Sequence, residues 1–260
     1  MDNPQIAHHI ARLKNENHDV RNSAAKALEE IGDPIVVPAL IEVLRGEAYY
    51  VRDPAVRVLV NVGVSAVPAL IKALKDEDSC VRESATDALG EIGDATAVPA
   101  LVKALKDEDS YVRDSTAWAL GKIGDATAVP ALLEALEDND SSVRWCTAKA
   151  LGEIGDATAV PALVEALKGN GHYFRIAAAH ALERIGNSVT LPRKVLASSQ
   201  LSAQNKIDVL EALRRIQYQE KHLTLQYIFP DTRTLCQTVL NEEDAKARQG
   251  ARTLLNWLDG

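Results

Sequence analysis

The nine residues GDATAVPAL stand at 93–101, at 124–132 and again at 155–163, each copy 31 positions after the last. A reactive loop has no use for copies, whereas a unit that stacks on its own kind requires them. The repeat extends well past the motif. Pro38, Pro68, Pro99, Pro130, Pro161 and Pro192 recur at steps of 30 or 31. Val20-Arg21, Val51-Arg52, Val81-Arg82, Val112-Arg113 and Val143-Arg144 recur likewise, continued by Phe174-Arg175. Ile31-Gly32, Val62-Gly63, Ile92-Gly93, Ile123-Gly124, Ile154-Gly155 and Ile185-Gly186 close the units. A fixed period of roughly 20 to 50 residues marks a solenoid, propeller or array.

Periodicity inside one unit chooses among these. Val112, Thr116, Ala119, Leu120 and Ile123 are spaced as one face of an α-helix, and Gly124 can end it in the left-handed conformation. The other half, TAVPALVKAL from Thr96, opens on a hydroxyl able to cap a helix and holds its proline in the first turn, where a missing N–H costs nothing. KDEDS joins the halves, with Asp109 or Ser110 available to cap the second helix. Each unit therefore reads as a helical hairpin without strand signal, and a hairpin buries its apolar faces only against neighbours. The units lie at about 3–33, 34–63, 64–94, 95–125, 126–156, 157–187 and 188–218, with 219–260 a divergent C-terminal helical cap of the same domain, as an end that meets water requires. Residues 232–240 and 241–258 read as helices, and LTLQYIFP (223–230) is left unassigned.

Composition narrows the function. Apolar residues make up 47% of the 260, so disorder is not expected, and no run of 18 apolar residues is present to span a membrane. The net charge of −8 and the lack of a lysine/arginine run speak against binding duplex nucleic acid. The polar start carries no secretion signal, and three scattered cysteines, Cys80, Cys146 and Cys236, suit a reducing cytoplasm.

AVPALVKALKDEDSYVRDSTAWALGKIGD, with Pro-Ala-Leu in the first helix, an acidic turn, then Val-Arg and Ala-Leu-Gly in the second, resembles a HEAT repeat of the short, phycobilisome-lyase-like kind. The resemblance covers about 3–218 and implies an all-α, right-handed α-solenoid of seven to eight hairpins, with second helices on the concave face. It leaves function open, because the family runs from scaffolds to enzymes. In one such enzyme, deoxyhypusine hydroxylase, His-Glu pairs just after the Val-Arg hold two irons. Here those positions read Asn22-Ser23, Asp53-Pro54, Glu83-Ser84, Asp114-Ser115, Trp145-Cys146 and Ile176-Ala177, which excludes that activity.

No catalytic, cofactor or metal site is expected. His8 and His9 are adjacent on a helix and point apart, His180 and Glu183 reads as a solvated pair, and no Cys-x-x-Cys is present. Binding residues should stand where exposed positions depart from the repeat. Positions two, six and ten after each valine face outward, and among their polar residues Trp118 and Trp145 stand out. They occupy neighbouring units and are expected to share one patch, either as a binding hot spot or as covers over Ala117 and Ala148. Glu83, Asp87, Glu91 and Asp114 make the face acidic, Lys149 borders it, and Tyr111, with Tyr50 and Tyr173, extends it or packs between turns. The arginine series reads as structural, reaching acidic turn residues such as Asp107 or Asp138. The expectation is a non-catalytic scaffold, adaptor or assembly factor whose partner is another protein, offering a basic or amide-rich segment with an apolar anchor. The rivals are a bilin lyase or bilin-handling factor, and an accessory to iron–sulfur or metal delivery using Cys146 with a partner's ligands.

Overall fold

The computed structural model describes residues 4–45, 48–166, 172–185 and 252, all of them helix, turn or short connection. The expected seventh repeat and the cap at 219–260 lie outside those residues. The chain divides into two compact units, Met1–Ala135 and Leu136–Gly260, and the division falls inside the fifth expected hairpin.

In the first unit the hairpins pair α1 (Pro4–Leu13) with α2 (His18–Ile31), α3 (Val37–Val43) with α4 (Tyr49–Val62), α5 (Val67–Ala73) with α6 (Ser79–Ile92) and α7 (Val98–Ala104) with α8 (Ser110–Ile123); α9 (Val129–Ala135) follows. Second helices pack in series, α2 on α4, α4 on α6 and α6 on α8, while α1, α3 and α5 form the other layer. The second unit contains α10 (Ser141–Ile154), α11 (Val160–Ala166) and α12 (His172–Ile185), with α12 packed on both of the others. No strand occurs among the described residues.

The repeated motif explains each joint, with one correction. Gly93, Gly124 and Gly155 end their helices at φ 74–75°, donating their N–H groups to Leu89, Leu120 and Leu151. The following cap is not the threonine hydroxyl: Asp94 accepts the Thr96 N–H at 2.8 Å, and Ala95–Ala97 forms a 3-10 turn before α7 begins. Asp125 and Asp156 repeat the arrangement. A carboxylate outcompetes a hydroxyl because its hydrogen bond is charge-assisted. On the second helices Asp109, rather than Ser110, is the cap.

Two layers leave one row of leucines between them: Leu28, Leu40, Leu59, Leu70, Leu89, Leu101 and Leu120 are fully buried. Each contributes about 1.5–3 kcal/mol. The glycine of Ala-Leu-Gly sets how closely second helices approach. A Cβ on Gly90 would stand 2.8 Å from Ala119 Cα, and one on Gly152 would stand 2.6 Å from Ala181 Cα. Among the described residues one helical stretch, Tyr49–Ala73, is long and apolar enough to span a bilayer at a mean hydropathy of 1.7. It breaks at Gly63, whose ψ of −143° is not helical, into α4 and α5, and each half packs one face against neighbouring helices.

Candidate binding faces

Positions two, six and ten after the valine lie outside the core on every described second helix, as the helical period requires. In the first unit they hold Asp53, Arg57 and Asn61 on α4, Glu83, Asp87 and Glu91 on α6, and Asp114, Trp118 and Lys122 on α8. Because α6 packs between α4 and α8, its column receives side chains from both sides.

Asp87 is the centre of this face. Half-buried, its carboxyl is raised to about 6, first by desolvation and then by the charges of Glu83 and Asp114, against a hydrogen bond from Ser115. The guanidinium on this side, Arg52, opposes the rise through its charge but gives its hydrogen bonds to other groups. Its Nη1 donates to Glu83 Oε2 at 2.9 Å, Ser84 Oγ at 3.0 Å and the Cys80 carbonyl at 3.0 Å. It sits there because Asp76 is already held bidentately by Arg45 at 2.7 Å through both nitrogens. The Tyr49 phenol is raised by burial and by the nearby Asp53, Asp87 and Glu83. Glu91 faces Lys122 at 3.8 Å, an exposed pair at the edge of the acidic group.

The structure thus brings Glu83, Asp87 and Asp114 together and sets Glu91 to one side. Arg52, Tyr49 and Ser115 join them without having been singled out from the sequence, where Arg52 was one of six equivalent arginines. The signal was the neighbouring turn: GEAYY keeps Glu47 but lacks the two aspartates of KDEDS.

The two tryptophans fall in different units and have different surroundings. Trp118 is half-buried, its ring resting where a Gly90 Cβ would lie 2.9 Å from Cζ3, with the Lys122 ammonium 5.5 Å from its centroid. It does cover a small residue, but across the helix pair rather than beside itself. Trp145 is 39% exposed, and Lys149 stands 5.5 Å over its ring. Beside it on α12 the outward positions are Ile176, His180 and Arg184, so this face is not acidic. Tyr50, Tyr111 and Tyr173 are all exposed, and the Arg21 guanidinium lies 4.7 Å over the Tyr50 ring.

The arginine series is structural, as expected. Arg21, Arg82, Arg113 and Arg144 each donate to carbonyls of the turn before their helix, and Arg82 grips Asp107 of the next turn with two bonds of 2.8 Å. Among the described residues no three histidines, cysteines or carboxylates are placed to share a metal. Cys80 and Cys146 are half-buried, and neither forms a disulfide.

No curated protein matches this chain by sequence. Among solved structures, the complex of CpcE and CpcF of phycocyanin lyase from Nostoc sp. PCC7120 superposes with a TM-score of 0.54 at 23% identity, over 57% of this chain and 99% of that one. Importin beta superposes with a TM-score of 0.56 at 17% identity, over 98% of this chain and 42% of that one. Both likenesses concern the fold. The HEAT-repeat profile matches residues 6–60, 37–121 and 98–183, in register with the hairpins described above, and the chain belongs to the HEAT-repeat family.

Proposed function

We propose that this chain is a non-catalytic scaffold, adaptor or assembly factor that binds another protein on its second-helix faces. One observation carries the reading: Asp87 is held half-buried between Glu83 and Asp114 while the neighbouring Arg52 is engaged on Glu83, Ser84 and Cys80. Desolvating a carboxylate that the nearby cation does not hydrogen-bond is unfavourable, and an arriving cation relieves it. The segment suited to the first unit is therefore basic or amide-rich, with an apolar anchor for Trp118. A frame locked repeat by repeat loses little ordering entropy on binding.

Affinity capture from extract tests this with the wild type, Asp87→Asn/Asp114→Asn and Trp118→Ala/Trp145→Ala. A partner recovered by the wild type should be lost from both variants, with helicity unchanged. Trp118 rests on Gly90, so the tryptophan variant should melt a few degrees lower, and the asparagine variant is the cleaner probe. Equal recovery by all three would sink the reading. The alternative, a bilin-handling role, is prompted by the fold shared with the lyase complex. A shifted absorption band on adding an open-chain tetrapyrrole would favour it over the scaffold.

A further inference from the structure

Charge along the second helices is not uniform. The outward positions of α4, α6 and α8 hold five carboxylates, Asp53, Glu83, Asp87, Glu91 and Asp114, against two cations, Arg57 and Lys122; those of α10 and α12 hold Trp145, Lys149, Glu153, Ile176, His180 and Arg184. In a chain of net charge −8, these outward positions of α10 and α12 thus hold one carboxylate beside two permanent cations and a histidine. The side chains are close enough to act as one surface. At Gly152 and Ala181 the two helices meet so tightly that a Cβ would stand 2.6 Å from the opposite Cα. Residues in step on packed helices lie about 8–10 Å apart, which sets Trp145 beside Ile176 and Lys149 beside His180. Trp145 is 39% exposed, Ile176 is half-buried, and His180 and Arg184 are exposed.

We propose that the α10–α12 face docks an acidic segment of a partner protein, with an aromatic or aliphatic side chain of that segment anchored on Trp145 and Ile176 and its carboxylates beside Lys149 and Arg184. This rests on the protein-binding reading above and assigns this unit a segment of opposite charge to the one suited to Asp87. The indole supplies the anchor because a rigid aromatic loses little entropy when covered. The cations select the sign, since a basic segment would meet Lys149 and Arg184 as like charges. Lys149 lies over the Trp145 ring at 5.5 Å. An exposed contact of that kind is worth only about 0.5–1 kcal/mol, so a partner carboxylate can draw the ammonium away at little net cost.

The test uses the full chain and three labelled dodecapeptides, in which leucines around a central phenylalanine alternate with glutamate, lysine or glutamine, read by fluorescence anisotropy. The glutamate peptide should bind about tenfold tighter than the glutamine peptide, a difference of ~1.4 kcal/mol. That advantage should vanish in Lys149→Glu/Arg184→Glu. Binding should weaken in Trp145→Ala and stay unchanged in Asp87→Asn/Asp114→Asn. A glutamate peptide that binds no better than the neutral one, or that ignores the charge reversal, overturns the assignment. If the lysine peptide binds through Asp87 and Asp114 in that event, the scaffold reading stands and only this assignment falls. If no peptide binds and all variants capture the same proteins as the wild type, both fall.

Discussion

Asp87 carries a cost that the rest of the repeat avoids. Asp94, Asp109, Asp125 and Asp156 each accept a backbone N–H, and Asp107 holds Arg82, whereas Asp87 is desolvated beside two further carboxylates. Its folded-state value of about 6 lies above that of an unfolded chain, so the folded protein binds the extra proton. Its contribution to stability is therefore complete below about pH 4 and is lost as pH rises through about 6. Asp87→Asn keeps the shape and a hydrogen bond with Ser115 but removes the charge. The variant should match the wild type at about pH 4 and exceed it by about 1–3 kcal/mol at about pH 7.5, since each pH unit separating the folded and unfolded values is worth about 1.4 kcal/mol. Thermal melts across that range decide it, and a gain independent of pH would show that the charge is not the cause. A residue that improves stability when neutralised yet stands on an exposed face is the pattern expected where binding, not folding, selects the side chain.

At the scale of the helix, the glycine of Ala-Leu-Gly does more than its helical position suggests. Glycine inside a helix costs about 1 kcal/mol relative to alanine, so on propensity alone Gly152→Ala should stabilise. The structure reverses that sign, because the added methyl would meet Ala181 Cα at 2.6 Å, a backbone atom that cannot step aside. Overpacking of this kind costs about 1–3 kcal/mol, and Gly152→Ala should lower the urea midpoint. A raised midpoint would mean that the helices can part freely. Helix α4 shows the contrary case: Val60 stands where α6 has Gly90, and Pro54 replaces a helical N–H. Neighbours of α4 thus meet a bulkier, less regular surface than α8 meets on α6.

Across the molecule, each described repeat is stabilised mainly by the ones beside it, so damage should spread to neighbours and fade beyond them. Leu89 is fully buried in the middle of the first unit. Leu89→Ala should cost about 2–5 kcal/mol and should quicken hydrogen exchange in α6 together with α4 and α8, while α1 keeps its own rate. Uniform acceleration over the whole first unit would instead mark it as a single cooperative block.

The sequence by itself determined the architecture. A 31-residue period, a helical spacing of apolar residues and a glycine at each helix end leave hairpins as the only way to bury those faces, and these are local rules that one unit obeys unaided. It also pointed to a structural arginine series through its spacing from the acidic turns, which Arg82 meets at Asp107, whereas the turn carbonyls that Arg21, Arg82, Arg113 and Arg144 bind came from the structure. Only the tertiary structure decided which outward residues act together. That Arg52 turns to Glu83 follows from Asp76 being taken by Arg45, and that Trp118 leans on Gly90 follows from how closely α6 and α8 pack. Desolvation and charge pairing depend on what the adjacent repeat places within a few ångströms, and no periodicity along one chain encodes that distance.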